Sequence, residues 1–154
     1  MIARKDYLEK LVAWKDERVI KVVTGIRRCG KSTLLDLYKE YLKGEGAGGQ
    51  IVSVNFEELE NERLLDYREL YAHLKERLHK GKTTYIFLDE VQKVDGFEKA
   101  VDSLYVKENV DIYITGSNSR LLSGELATLL SGRYVEIGML PFSFAEFYES
   151  QGGG

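Results

Sequence analysis

The chain has 154 residues, a formal net charge of -3 and a single cysteine, Cys29. That length is enough for one domain with a real core, and the charge excludes a global electrostatic footprint for nucleic acid while leaving a local basic patch open. A lone cysteine excludes an internal disulfide, no apolar run reaches membrane-spanning length, and Arg4, Lys5 and Asp6 are followed by no signal-peptide core, so the expected setting is cytoplasmic with no membrane contact.

In chain order, Leu8, Leu11 and Val12 share one face and predict a short helix over residues 7–14. Residues 19–24 (VIKVVT) are rich in β-branched side chains and predict a buried strand, followed by an amphipathic helix opening at Leu34 and Leu35. Residues 43–49 (KGEGAGG) read as a flexible turn, and residues 51–56 (IVSVNF) as a second strand ending at Glu57 and Glu58. Leu70, Leu74 and Leu78, four apart, predict a helix from about residue 66 to 79. A third strand over 84–89 is the most apolar of the set. Phe97, Val101 and Leu104 mark a helix over 97–105, and residues 111–115 a fourth strand. A helix over 119–130, interrupted near Gly124, leads to a short fifth strand over 134–137. Pro141 stops that strand, and Ser143 with Glu146 forms a capping box for a last helix over 143–148. Strands alternating with helices predict an α/β fold with a parallel sheet covered on both faces. The expected organisation is a helical segment over 1–17, a core over 18–150 and a glycine-rich tail over 151–154.

Gly25, Ile26, Arg27, Arg28, Cys29, Gly30, Lys31 and Ser32 match G-x-x-x-x-G-K-[ST] without a mismatch. Strand before and helix after give this phosphate-binding loop its proper context. Glycines let the backbone curl its N–H groups toward the phosphates, and the helix N-terminus that follows favours an anion. The phosphate-binding set is therefore Gly25 to Thr33, with Lys31 as a point charge on the β/γ-phosphates and the Ser32 hydroxyl as a Mg²⁺ ligand. Arg27 and Arg28 occupy variable loop positions. Cys29, near a helix N-terminus, carries no mark of a nucleophile.

Residues 85–90 (YIFLDE) are four apolar residues and two carboxylates, the Walker B pattern. The strand delivers Asp89 to the sheet's carboxyl edge, where ligands bind in open α/β folds, as a second Mg²⁺ ligand. Glu90 beside it is a candidate general base for water. Thr115, Gly116, Ser117 and Asn118 end the fourth strand on the same edge; they suit contacts to the γ-phosphate, and equally an ordinary turn. His73 and His79 have no partners at metal-ligand spacing. Gln92, Lys93 and Asp95 superficially imitate a guanine-reading motif, but with the wrong first residue and immediately after Walker B.

The loop at 25–32 and residues 85–92 (YIFLDEVQ), with 114–119 (ITGSNS), 130–134 (LSGRY) and 140–147 (LPFSFAEF), resemble AAA+ ATPases. Within them the chain is most similar to bacterial and archaeal ATP-binding proteins that carry a C-terminal domain of unknown function. The resemblance implies a three-layer fold whose five-stranded parallel sheet runs in the order 5-1-4-3-2. It implies Ser117 or Asn118 as sensor 1, Asn55 as a polar switch that holds the catalytic glutamate away from water, and Arg133 as an arginine finger offered to a neighbouring subunit. Read from their residues alone, Asn55 is also a strand-end cap and Arg133 a surface arginine in a turn. AAA+ modules normally continue into a helical lid, which these residues do not supply, so either a piece of a longer protein or a protein trimmed to its nucleotide-binding core is expected.

The expected function is Mg²⁺-dependent ATP binding and hydrolysis to ADP, coupled to a conformational change. The alternatives are a nucleotide-binding switch with negligible turnover and, third, a small-molecule kinase. Partners beyond ATP stay open: a homo-oligomer through Arg133, a nucleic acid or another protein.

Overall fold

Five strands lie side by side in the order β2-β3-β4-β1-β5, every neighbouring pair parallel. They belong to a computed structural model that describes residues 2–25, 30–117, 130 and 133–139. The elements are α1 (Ile2–Ala13), β1 (Ile20–Thr24), α2 (Lys31–Gly44), β2 (Ile51–Asn55), α3 (Tyr67–Glu76), β3 (Thr84–Asp89), α4 (Phe97–Lys107), β4 (Val110–Gly116) and β5 (Tyr134–Gly138). This is the strand order that the resemblance to AAA+ ATPases implies. The helices expected over 119–130 and 143–148, with the Ser143–Glu146 cap, lie outside the described residues except Leu130, as does the tail over 151–154.

The strands are apolar on both faces because both faces are covered, and period-two alternation sorts their side chains between two cores. Ile20, Val22, Ile86, Leu88, Ile112 and Ile114 point to one side. There they meet Leu70 and Leu74 of α3 and Phe97, Ala100, Val101 and Leu104 of α4. Val23, Tyr85, Phe87, Tyr113 and Ile137 point to the other, against Tyr7 and Leu11 of α1 and Leu34, Leu35, Tyr38 and Leu42 of α2. In α1 it is Leu11 that is fully buried, joined by Tyr7, while Leu8 and Val12 flank the core half-buried.

Two boundaries differ from the sequence pattern for local reasons. α3 ends at Glu76, short of residue 79, because the His79 N–H donates to Thr84 Oγ1 at 2.7 Å and ties the chain into the start of β3. After β2 the acidic run forms a 3-10 helix, Leu59–Leu65, that buries Leu64. Asp66 then caps α3 by accepting from the Arg68 N–H at 2.8 Å.

On the α2 side a buried polar chain crosses the sheet. Lys21 Nζ donates to Asp111 Oδ1 at 2.5 Å and to the Glu17 carbonyl at 2.8 Å. Asp111 Oδ2 accepts from Tyr113 Oη at 2.7 Å and from the Asp16 N–H at 2.8 Å. Tyr113 and Tyr38 hydroxyls sit 2.6 Å apart. Burial pushes both phenols far above the usual range, so they remain neutral hydrogen-bonding groups.

Candidate functional site

β1, β3 and β4 end together at the carboxyl edge of the sheet, where the N-terminus of α2 meets them. Gly30 is the N-cap of α2 with φ 97°, a left-handed conformation that glycine adopts without a Cβ penalty, and its carbonyl accepts from the Leu34 N–H at 2.9 Å. The next residue, Lys31, is 4% exposed. Its ammonium donates to the Gly25 carbonyl at 2.9 Å and lies 3.5 Å from Glu90 Oε1. The two ends of the loop are thus joined through the lysine side chain. Ile26, Arg27, Arg28 and Cys29, between them, lie outside the described residues; Thr33 follows Ser32 in the first turn of α2.

Asp89, the last residue of β3, is buried and accepts two short hydrogen bonds. Ser32 Oγ donates to Oδ2 at 2.5 Å and Thr115 Oγ1 donates to Oδ1 at 2.5 Å. A hydroxyl and a single carboxylate form a sparse, all-oxygen donor set. That suits Mg²⁺, which keeps several waters and takes phosphate oxygens rather than a full protein cage. Among the described residues no three His, Cys, Asp or Glu side chains cluster as a metal cage.

Glu90 leaves the strand at φ 62°, ψ 49°, left-handed backbone for a side chain that disfavours it. Its N–H donates to Thr115 Oγ1 at 2.9 Å, so one threonine hydroxyl links both members of the Asp-Glu pair. Gln92 Nε2 donates to Glu90 Oε2 at 2.5 Å, and the other amide atom, Oε1, is buried with no hydrogen-bond partner among the described residues.

Lys31, Ser32, Asp89 and Glu90 therefore converge as their motifs imply. Thr115 and Gln92 make the contacts that hold the two carboxylates. Both lie in segments the sequence points to, Thr115 at the end of the fourth strand and Gln92 at the end of residues 85–92, but no sequence pattern assigns either of them to the Asp-Glu pair. Ser117 follows β4 at the same edge, and Asn118 lies outside the described residues. Asn55 is in register with Asp89 on the neighbouring strand. Its Oδ1 accepts from the Glu57 N–H at 2.9 Å, a turn of its own, and among the described residues the partners of the Glu90 carboxylate are Lys31 and Gln92.

Arg133 is elsewhere. Its carbonyl accepts from the Ile20 N–H at 2.8 Å at the amino edge of the sheet, the length of β1 away from Gly25, or ~16 Å at the rise of a strand. The exposed Arg133 guanidinium lies 5.7 Å from the Tyr105 ring centroid, which the Arg18 guanidinium also approaches, at 4.8 Å.

A family model described as an AAA domain (AAA_14) matches residues 17–148. The chain belongs to this AAA domain family. The AAA domain is 46% identical over 153 residues to an uncharacterized protein of Haemophilus influenzae, covering 98% of the chain and 38% of that protein. It is 39% identical over 131 residues to an uncharacterized protein of Methanocaldococcus jannaschii, covering 83% of the chain and 28% of that protein. The domain thus spans well under half the length of both relatives. In fold it is similar to Aeropyrum pernix ORC1, solved in complex with DNA, with TM-score 0.64 and 14% identity over 96% of the chain and 48% of that structure. It is also similar to AMPPCP-bound DnaA from Aquifex aeolicus, with TM-score 0.54 and 18% identity over 96% of the chain and 49% of that structure. At these identities the likeness is one of fold: the AAA domain has the AAA+ type P-loop ATPase architecture. Among its described residues no helix is long and apolar enough to cross a membrane.

Proposed function

We propose that this domain binds ATP with Mg²⁺ and hydrolyses it to ADP and phosphate. One observation carries the reading: Lys31, Ser32, Asp89 and Glu90 meet at the carboxyl edge, bound to one another directly or through Thr115. Lys31 and the loop N–H groups hold the phosphates, and Ser32 with Asp89 holds the cation. When bound, Mg²⁺ neutralises charge on the β- and γ-phosphates. Glu90 orients a water whose oxygen attacks the γ-phosphorus; the bond to the β,γ-bridging oxygen breaks, and the water's proton passes to the Glu90 carboxylate. Ser117 and Asn118 are the proposed γ-phosphate contacts on β4. Arg133, exposed at the far edge, is proposed to act only on a second copy of the domain. Phosphate release per subunit, measured across a wide range of protein concentration with Glu90→Gln alongside, tests the reading. Turnover that rises with concentration and vanishes in the variant is expected; a Glu90→Gln variant as active as the parent refutes it.

A second reading is a nucleotide-dependent switch with negligible turnover. The engagement of both Glu90 oxygens, by Lys31 and by Gln92, favours it for the isolated domain. It predicts tight nucleotide retention without phosphate release at any concentration.

A further inference from the structure

We propose that Gln92 is the residue that restrains Glu90, clamping it against the loop lysine until a donor from outside the site takes the Gln92 carbonyl. This deepens the ATPase reading and rests on Glu90 being the group that activates water. The amide orientation is fixed by chemistry: a flip would set a carbonyl oxygen 2.5 Å from a carboxylate oxygen, so the N–H faces Glu90 and Oε1 faces away. Glu90 then has no carboxylate oxygen uncommitted, since Oε2 accepts from Gln92 and Oε1 lies 3.5 Å from the Lys31 ammonium. A carboxylate so placed competes with phosphate for Lys31 and is held back from water.

Gln92 Oε1 is the other half of the device. A buried acceptor without a donor is unfavourable, so the clamped state has a standing bias toward any arrangement that satisfies it. Asn55, the switch expected from family resemblance, is engaged in its own turn through Oδ1. An N–H or guanidinium donor supplied by a partner, hydrogen-bonding to Oε1 and turning the amide, would release Glu90.

The test is a double-mutant cycle on fluorescent ATP affinity, read together with phosphate release. Gln92→Met, nearly isosteric, and Gln92→Ala should each tighten ATP binding roughly tenfold, the weight of a hydrogen bond to a charged group. Glu90→Gln, which removes the competing charge, should tighten it as well. The cycle predicts that Gln92→Met adds nothing in the Glu90→Gln background, and that basal turnover at low protein concentration rises in the single Gln92 variants. Unchanged affinity in both Gln92 variants, a lower turnover with unchanged affinity, or the same tightening with Glu90 already replaced would each overturn the clamp. Failure of the ATPase reading looks different: affinities shift as stated while no protein, the parent included, releases phosphate.

A groove on the opposite layer carries an independent inference. Between α3 and α4 lies a cleft of about 280 Å³ lined by Tyr67, Arg68, Tyr71, Lys99, Ser103 and Lys107, with no carboxylate in its walls. Lys99 and Arg68 sit 4.9 and 5.2 Å from the Tyr67 ring centroid. Among the described residues neither Lys99 nor Lys107 has a carboxylate within 4.0 Å, whereas Lys75 at the margin is paired with Glu108 at 2.8 Å. Arg68 is paired with Asp66 at 3.6 Å, which leaves Lys99 and Lys107 as the cations open to a ligand beside half-buried tyrosine rings; that set matches a single nucleic-acid strand, phosphates on the lysines and a base on an aromatic face. We infer that this groove binds single-stranded nucleic acid. Anisotropy of a labelled fifteen-nucleotide poly-dT or poly-U strand should show binding that weakens at least tenfold between 50 and 200 mM salt and is lost in Lys99→Glu/Lys107→Glu, with ATP affinity unchanged. No binding of either strand, equal binding by the charge-reversed variant, or equal competition by polyglutamate would overturn it.

Discussion

Lys21 and Asp111 form an ion pair of 2.5 Å between adjacent strands, with both side chains closed off from water. Its remaining hydrogen-bonding capacity is taken up by the Glu17 carbonyl, the Asp16 N–H and Tyr113 Oη, which is what makes burial of two charges tolerable. Removing one partner strands the other. Asp111→Ala is expected to lower unfolding free energy by about 3–5 kcal/mol, and Lys21→Met/Asp111→Leu together by much less. Urea denaturation of the three proteins measures both.

Thr115 is the hinge pin of the Asp-Glu pair. Thr115→Val keeps the shape but leaves Asp89 Oδ1 and the Glu90 N–H without their partner, while Thr115→Ser keeps both bonds. The valine variant is expected to be less stable by about 1–3 kcal/mol and to lose ATP turnover at least tenfold; the serine variant stays near the parent. Thermal denaturation and phosphate release decide it.

At Glu90 the backbone is left-handed, so the site and the stability of the fold pull in opposite directions. Glu90→Gly is expected to be more stable than Glu90→Gln by about 1 kcal/mol, since only the former relieves the strain, with neither variant hydrolysing ATP. Melting curves of the two variants, compared with each other, isolate the backbone effect from the lost carboxylate.

Asp102 has a buried Oδ1 with no hydrogen-bond partner among the described residues, and burial raises its carboxyl above the ordinary range, with nearby Arg133 only partly opposing. The charged form is therefore the disfavoured one in the folded chain. At neutral pH, Asp102→Asn is expected to stabilise the protein. As pH falls through the raised folded value toward the ordinary aspartate value, the native chain takes up its proton first and the difference disappears. Melting temperature of both proteins between pH 4 and 8 measures the convergence.

Much of the fold and of the site is legible in the sequence alone. β-branched runs gave five strands, and fourfold leucine spacing gave α3, because a two-sided buried sheet forces both patterns onto the chain. The phosphate-binding loop and Asp89-Glu90 were legible because their spacing is local. What stayed hidden is what depends on contacts between segments. Gln92 is two residues from Glu90, but only the left-handed turn at Glu90 brings its amide back onto the carboxylate. Thr115 reaches Asp89 across a strand pairing 26 residues apart in sequence. The groove of Tyr67, Tyr71 and Lys99 exists because α3 and α4 pack side by side, so no single stretch of sequence displays it.

Arg133 stands at the amino edge of the sheet and the phosphate-binding loop at the carboxyl edge. If one copy supplies its arginine to another's nucleotide, two arrangements do it. A twofold dimer works only where one patch spans both edges, so that each copy's arginine faces the other's phosphate site across the axis. A head-to-tail arrangement needs no such span; it closes into a ring when the rotation per copy divides a full turn and otherwise runs on as a helical filament. In a ring every site is completed by a neighbour. In a filament one terminal site is always left without its arginine, so output per copy would rise with length.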